Sequence, residues 1–233
     1  MNLFFADQKD VHSSFICLQG QEAVHASKVL RYNTGDELSV TDGAGTLYKT
    51  IIREIKKNEI ILDLVDKKTE EREEPYIQLF LGVIKKRDRL EFAVEKAVEL
   101  GVNEIILFKG QHSVKENVRM DRIEAAILSA MKQSLRVYLP GVSMFSSLSD
   151  AIEKKAADSE LILADETSRQ TTIRVNPFER YALIVGPEGG ISTSERTTLE
   201  ELNAKVYSLG TKRLRAETAA ITMVDRFRNQ MAE

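Results

Sequence analysis

The sequence predicts an α/β protein in which a small, mostly antiparallel β unit precedes a mostly parallel sheet with helices on both faces. Three observations carry this prediction. From Tyr76 onward, short apolar runs alternate with stretches of helical periodicity, the pattern of repeated strand and helix units. The first 70 or so residues hold strand-like runs joined by hairpin chemistry instead. Between them, Lys67 to Glu74 is a charged run without an apolar residue, closed by Pro75. Such a run has nothing to bury, so it marks a boundary between a domain at 1–71 and one at 76–233.

In the first part, Glu37 to Thr41, Thr46 to Ile52 and Ile60 to Val65 read as strands. The first two are joined by Asp42-Gly43-Ala44-Gly45, whose glycines supply the positive φ angles of a tight hairpin. Ala23, Ala26, Ser27 and Leu30 recur at helical spacing and predict a short helix from Gln21 to Leu30. Lys28 and Arg31 stand at its end, where two readings are open. They complement the carbonyl end of the helix as solvated cations, or they contact phosphate.

In the second part, Ile77 to Ile84 is a continuous apolar run, as expected for a strand covered on both faces. Leu90, Ala93, Val94, Ala97 and Val98 then form a helical stripe that Gly101 ends. A strand follows at Glu104 to Phe108, then a helix with Ile123, Ala126, Ile127, Ala130, Met131 and Leu135 on one face, then Pro140-Gly141. A helix from Leu148 to Ala157 leads to a strand from Leu161 to Ala164 and a polar loop. The remaining elements are strands at Tyr181 to Val185 and Val206 to Leu209, and helices at Ser194 to Leu202 and from about Thr218 to Met231.

Composition narrows the function classes. No apolar run approaches the roughly 20 residues of a membrane-spanning helix, and the N-terminus lacks a signal-peptide pattern, so a cytosolic protein is expected. Cys17 is the only cysteine, which excludes an intrachain disulfide and agrees with a reducing compartment. His12, His25 and His112 are scattered, so no metal site is expected. A net charge of -3 opposes indiscriminate nucleic-acid binding, and any such contact must use a local basic patch.

Two loops at predicted strand ends carry the chemistry. Gly186-Pro187-Glu188-Gly189-Gly190-Ile191-Ser192 follows one strand, and Gly210-Thr211-Lys212-Arg213-Leu214-Arg215-Ala216-Glu217-Thr218-Ala219 follows the next. Loops at the carboxyl ends of strands are where α/β sheets bind ligands. Glycines let the backbone approach a ligand closely, and the N–H groups of Gly189, Gly190 and Ile191 are candidate donors. Glycine content alone fits a plain structural turn equally well. No Gly-x-Gly-x-x-Gly follows the first strand and no Gly-Lys-Ser/Thr loop is present, so neither familiar nucleotide fold is supported.

These paired stretches, with Leu183-Ile184-Val185 before the first and Leu209 before the second, resemble the C-terminal motifs of the 16S rRNA uridine-N3 methyltransferases, members of the SPOUT superfamily. Further matches fall in family order: His25 with Val29-Leu30-Arg31, Gly35-Asp36, Lys85 with Arg89-Leu90-Glu91, Lys96 to Val102, Gln133-Ser134 with Arg136, and Pro140. The resemblance implies an RNA-binding PUA-like β-barrel at 1–71 and a methyltransferase domain at 76–233 whose chain end is threaded as a trefoil knot. It implies S-adenosylmethionine without metal, a homodimer, and 16S rRNA or the small ribosomal subunit as partner. By the same resemblance Leu163, Gly186, Pro187, Glu188, Gly189, Gly190, Ile191, Leu209, Gly210 and Leu214 line the cofactor pocket. Lys28, Arg31, Lys85, Arg89, Gln133 and Arg136 are the implied RNA contacts. Three positions depart from the family pattern: Lys132 replaces an acidic residue, Lys212-Arg213 replaces Arg-Ile or Arg-Val, and Asp165-Glu166 replaces His-Glu.

Attack by a uridine N3 requires loss of an imide proton and stabilisation of the resulting anion. Arg215, always cationic and with a planar fork of donors, is the candidate for the second task. Glu188 and Glu217 are candidate proton acceptors, with structural alternatives: Glu188 fixing the loop, Glu217 complementing the start of the last helix. A silent RNA-binding dimer, or a methyltransferase acting on a ribose hydroxyl or another base, are the competing readings.

Overall fold

The computed structural model describes residues 2–113, 117–172, 174–176 and 179–229. The chain divides into two units, one of residues 1–72 with 131–139 and one of residues 73–130 with 140–233.

The first unit is a five-stranded mixed sheet of β1 (Leu3–Phe5), β2 (Phe15–Gln19), β3 (Glu37–Thr41), β4 (Thr46–Ile55) and β5 (Glu59–Thr69), in the order β1-β3-β4-β5-β2. Only the β1–β3 pair is parallel. Alternate residues of these strands, among them Phe4, Ile16, Leu18, Leu38, Val40, Ile60 and Leu62, form its core. The hairpin between β3 and β4 is closed by Asp42 Oδ1, which accepts from Ala44 N (2.8 Å) and Thr46 N (3.3 Å). Gly45 has φ 104°, and a Cβ there would lie 2.3 Å from the Tyr138 ring. That contact belongs to a segment the sequence reading placed elsewhere: residues 137–139 dock on the hairpin through Gly45 N to Val137 O (3.0 Å) and Leu139 N to Gly43 O (2.9 Å).

Lys67–Thr69, the start of the charged run, continue β5 beyond the predicted Val65 and pair with Thr46–Tyr48, their charges outward in solvent. One expectation needs correction here. The helix predicted at Gln21 to Leu30 is α1 (Gly20–Val24) followed by a π-helical turn, His25–Val29, closed by Leu30 N to His25 O at 3.0 Å.

In the second unit the elements are β6 (Tyr76–Gly82), α2 (Arg87–Glu99), β7 (Glu104–Phe108), α3 (Met120–Gln133), β8 (Gly141–Phe145), α4 (Leu148–Lys155), β9 (Glu160–Ala164), β10 (Arg180–Val185), α5 (Thr193–Glu201), β11 (Lys205–Tyr207) and α6 (Ala216–Asn229). The last three residues of α3 are grouped with the first unit, and the part of the last helix expected at Gln230 and Met231 lies outside the described residues. All six strands are parallel, in the order β11-β9-β10-β6-β7-β8. Of the strands of this sheet, β8 has no counterpart among the predicted elements. It is the edge strand, only partly buried, and so lacks the continuous apolar run that marks β6 and β10.

Both faces of the sheet are covered. Phe80, Ile106, Phe108, Leu163, Ala182 and Ile184 pack with α4 and α5 residues on one side. On the other, α6 packs against β6, β10 and α2, with Phe227 seated between Tyr181 (5.5 Å) and Tyr207 (5.7 Å). This burial fixes where α6 begins, and with it the loop after β11. Among the described residues no helix is long and apolar enough to cross a membrane.

Candidate functional site

The loops after β9, β10 and β11 line one cavity of about 580 Å³. All ten residues expected at a cofactor pocket line it: Leu163 from β9, Gly186, Pro187, Glu188, Gly189, Gly190 and Ile191 after β10, and Leu209, Gly210 and Leu214 after β11. Arg215 lines it too, whereas Glu217 does not.

The β10 loop is held from three sides. Gly190 N donates to Pro187 O at 2.8 Å, so this N–H closes a turn and is not offered to a ligand, contrary to the sequence expectation. Among the described residues the N–H groups of Gly189 and Ile191 have no partner. Both oxygens of Glu188 accept from Lys85 N at 3.1 Å, the loop-fixing alternative for that residue. His112 Nδ1 lies 3.0 Å from Gly189 O, an acceptor, so Nδ1 carries the proton. At the far end a capping box starts α5: Ser192 Oγ accepts from Glu195 N (3.2 Å) and Glu195 Oε2 from Ser192 N (2.8 Å). Glu195 Oε1 also accepts from Gln111 N at 3.1 Å.

The β11 loop is held by the last helix. Arg226 of α6 donates to Leu209 O (3.0 Å), Ser208 O (3.3 Å) and Tyr207 Oη (3.4 Å). Ser208 N donates to Gln170 O at 2.6 Å. Gly210 follows with φ 129°, a conformation other residues rarely adopt.

The β9 wall was the least expected from sequence. Beyond Leu163 it contributes Asp165, Glu166 and Thr167, and α5 adds Arg196. Asp165 is 7% exposed; its Oδ1 accepts from Thr167 N (2.7 Å) and Oγ1 (2.8 Å), and Oδ2 lies 2.5 Å from Arg196 Nη1. Burial pushes this carboxyl's pKa up, but the Thr167 hydrogen bonds and Arg196 outweigh it and hold the group below its ordinary value. It is therefore ionised. Arg213 pairs with Glu166 at 3.6 Å across exposed surface, a weak contact.

Glu217 sits in the first turn of α6, buried, with Oε1 at 3.5 Å from Arg89 Nε and Oε2 without a hydrogen-bond partner. Arg89 is thus an ion-pair partner of α6, not an uncommitted phosphate contact. Of the other expected RNA contacts, Lys85 is exposed in the second unit, while Lys28, Arg31, Gln133 and Arg136 all belong to the first. Lys28 lies within the π turn and Arg31 follows it at φ 58°. The departure at Lys132 has a local explanation: its ammonium contacts Glu22 Oε1, so a base stands opposite an acid. Glu22 Oε2 also accepts from Phe5 N at 3.1 Å. Lys132→Glu should therefore lower stability by about 2–3 kcal/mol, and adding Glu22→Lys should restore only part of that, because the Phe5 bond is lost. Denaturant unfolding of the four proteins of this cycle measures both numbers.

A model of the RNA methyltransferase domain family matches residues 71–228, and one of the RNA methyltransferase PUA domain matches residues 18–65. The chain is 28% identical over 234 residues to the ribosomal RNA small subunit methyltransferase E of Rickettsia conorii, covering 97% of this chain and 95% of that one. It is 27% identical to the protein of the same name from Bacillus subtilis, covering 88% and 86%. Among solved structures, a probable rRNA-methyltransferase from Porphyromonas gingivalis superposes with a TM-score of 0.88 at 27% identity, over 100% of this chain and 99% of that one. The fold is also that of a ribosomal RNA small subunit methyltransferase E from Neisseria gonorrhoeae bound to S-adenosyl methionine, with a TM-score of 0.86 at 24% identity over 96% and 95% of the two chains.

Proposed function

We propose, from the premise that this chain belongs to the RNA methyltransferase domain family, that it transfers the methyl group of S-adenosylmethionine to N3 of a uridine in 16S ribosomal RNA. The observation that carries the reading is the convergence of three strand-end loops on one cavity, lined by every residue expected to hold that cofactor. Its volume, about 580 Å³, suits a nucleoside-sized ligand. Leu163, Val185, Ile191, Leu209 and Leu214 offer an apolar surface to a flat base, and the Gly189 and Ile191 N–H groups offer donors. When bound, S-adenosylmethionine supplies an electrophilic methyl group on a sulfonium leaving group.

The protein's part is to orient the uridine and carry its negative charge. Arg215 lines the cavity with no partner among the described residues, so its fork is free to meet the charge that develops on the ring as N3 gives up its proton. Glu188 fixes the β10 loop through Lys85 N, and Glu217 fixes Arg89; of these two candidate acceptors only Glu188 lines the cavity, and it takes the N3 proton. A uridine edge inside a duplex is out of reach, so the target must be unpaired or turned out of its stack.

The first unit is the RNA-binding, PUA-like module, with Lys28, Arg31, Gln133 and Arg136 as its contacts. The rRNA substrate puts this work in the cytoplasm, and the active form is a homodimer. The strand order β11-β9-β10-β6, in which β10 enters between strands already laid down, supports a threaded chain end. Nucleoside mass spectrometry of 16S rRNA from a strain lacking this chain tests the reading. Loss of 3-methyluridine is the expected result, and loss of a different modification would overturn the substrate. Calorimetry tests the class: no S-adenosylmethionine binding at millimolar concentration would remove the enzyme reading altogether.

A further inference from the structure

Arg196 stands in the first turn of α5, where a positive charge opposes the helix dipole. It is compensated by one contact, Asp165 Oδ2 at 2.5 Å. The Asp165 carboxylate is committed within the protein: Oδ1 accepts from Thr167 N and Oγ1, and Oδ2 is buried against Arg196. The guanidinium, by contrast, lines the cavity and its side chain is 38% exposed. One of its nitrogens is committed to Asp165, which leaves the remaining donors of the fork without a partner among the described residues.

The other cations on the cavity wall differ in how they are held. Lys212, Arg213 and Arg215 are all exposed on the β11 loop. Arg213 has the exposed Glu166 as partner, and Lys212 and Arg215 have none among the described residues. Arg196 is the one fixed by a buried carboxylate, and a fixed fork loses little freedom when it binds a planar anion.

We infer that Arg196 binds the carboxylate of the cofactor's amino-acid tail, and that Asp165 is the residue that positions it. The inference rests on the methyltransferase reading and adds the group that recognises the one anionic part of the cofactor. An RNA phosphate is the other anion within the proposed reaction. The cofactor is favoured because Arg196 shares a wall with the ends of β9 and β10 beside Leu163 and Val185, inside the cavity those loops enclose.

Two ligands separate the outcomes: S-adenosylhomocysteine, which carries the tail, and 5′-methylthioadenosine, which has the same nucleoside and sulfur without it. By calorimetry, Arg196→Ala should weaken S-adenosylhomocysteine about 10- to 100-fold, the range for one charge-assisted pair, and leave methylthioadenosine unchanged within about twofold. Arg196→Lys should fall between wild type and Arg196→Ala, and Asp165→Asn should weaken only the ligand with the tail. Equal losses for both ligands would make Arg196 a structural residue and overturn the inference. So would unchanged cofactor affinity with a raised KM for RNA, the phosphate outcome. If the wild-type protein binds neither ligand, the methyltransferase reading falls first and this one with it. Wild-type binding of both, unaltered in Arg196→Ala, refutes this inference alone.

Discussion

Arg215→Ala should lower methyl transfer by about 10²- to 10³-fold while changing S-adenosylmethionine affinity by no more than about threefold, the magnitude seen when one preorganised charge stabiliser is removed. The geometry separates the two effects. The Arg215 backbone is fixed at the start of α6, where its carbonyl accepts from Ala219 N at 2.8 Å, so truncating the side chain leaves the loop's path alone. The side chain is exposed on the cavity wall and has no partner among the described residues, so its removal strands no buried charge. Arg215→Lys keeps the charge but loses the planar fork, and should recover part of the rate. Single-turnover assays with saturating cofactor, set beside calorimetric affinities, make the comparison. Equal loss of rate and affinity would move Arg215 from the base to the cofactor.

What the sequence discloses and what it hides follow from the range of the interactions. Strands buried on both faces announce themselves as apolar runs, and Glu104–Phe108 is read to the residue. Three strands escape: β8 and the three-residue β1 have no long run to show, and the four apolar residues Phe15–Leu18 of β2 are too few to tell strand from helix. The π turn escapes because its side chains keep ordinary helical spacing. In the site, the glycine-rich loops are visible from local chemistry. Their fixings are not: Glu188 meets Lys85 N across 103 residues, and Asp165 meets Arg196 from a helix that reads as a plain solvated surface. Lys132 looks like a lost acid until Glu22 is found beside it across 110 residues. A departure from a family pattern is interpretable only with its partner in view.

The second large effect comes from a residue outside the motifs. Gly82 ends β6 directly under the β10 loop, and a Cβ there would stand 2.4 Å from Pro187 Cδ, 2.5 Å from Pro187 N and 3.0 Å from Gly186 C. Two of these neighbours are backbone atoms, so no rotamer change relieves the contact. The loop itself must move. Pro187 also faces Gly110, where an added Cβ would come within 3.2 Å of Pro187 Cγ, so both glycines leave space that the proline ring occupies. Gly82→Ala should therefore cost about 1–3 kcal/mol of stability, as overpacking does. It should also weaken S-adenosylmethionine by at least about tenfold, since lifting Gly186 and Glu188 breaks the Lys85 contact and opens the cavity wall. Gly190→Ala is the informative control. Nothing lies within 4 Å of its added Cβ, but its φ of 74° imposes about 1–2 kcal/mol of backbone strain. That variant should lose stability with a smaller loss of affinity. The double variant Gly82→Ala, Pro187→Ala should recover little, because the backbone nitrogen of residue 187 remains in the way. Full recovery would mean that the pyrrolidine ring, and not the path of the loop, sets the shape of the pocket.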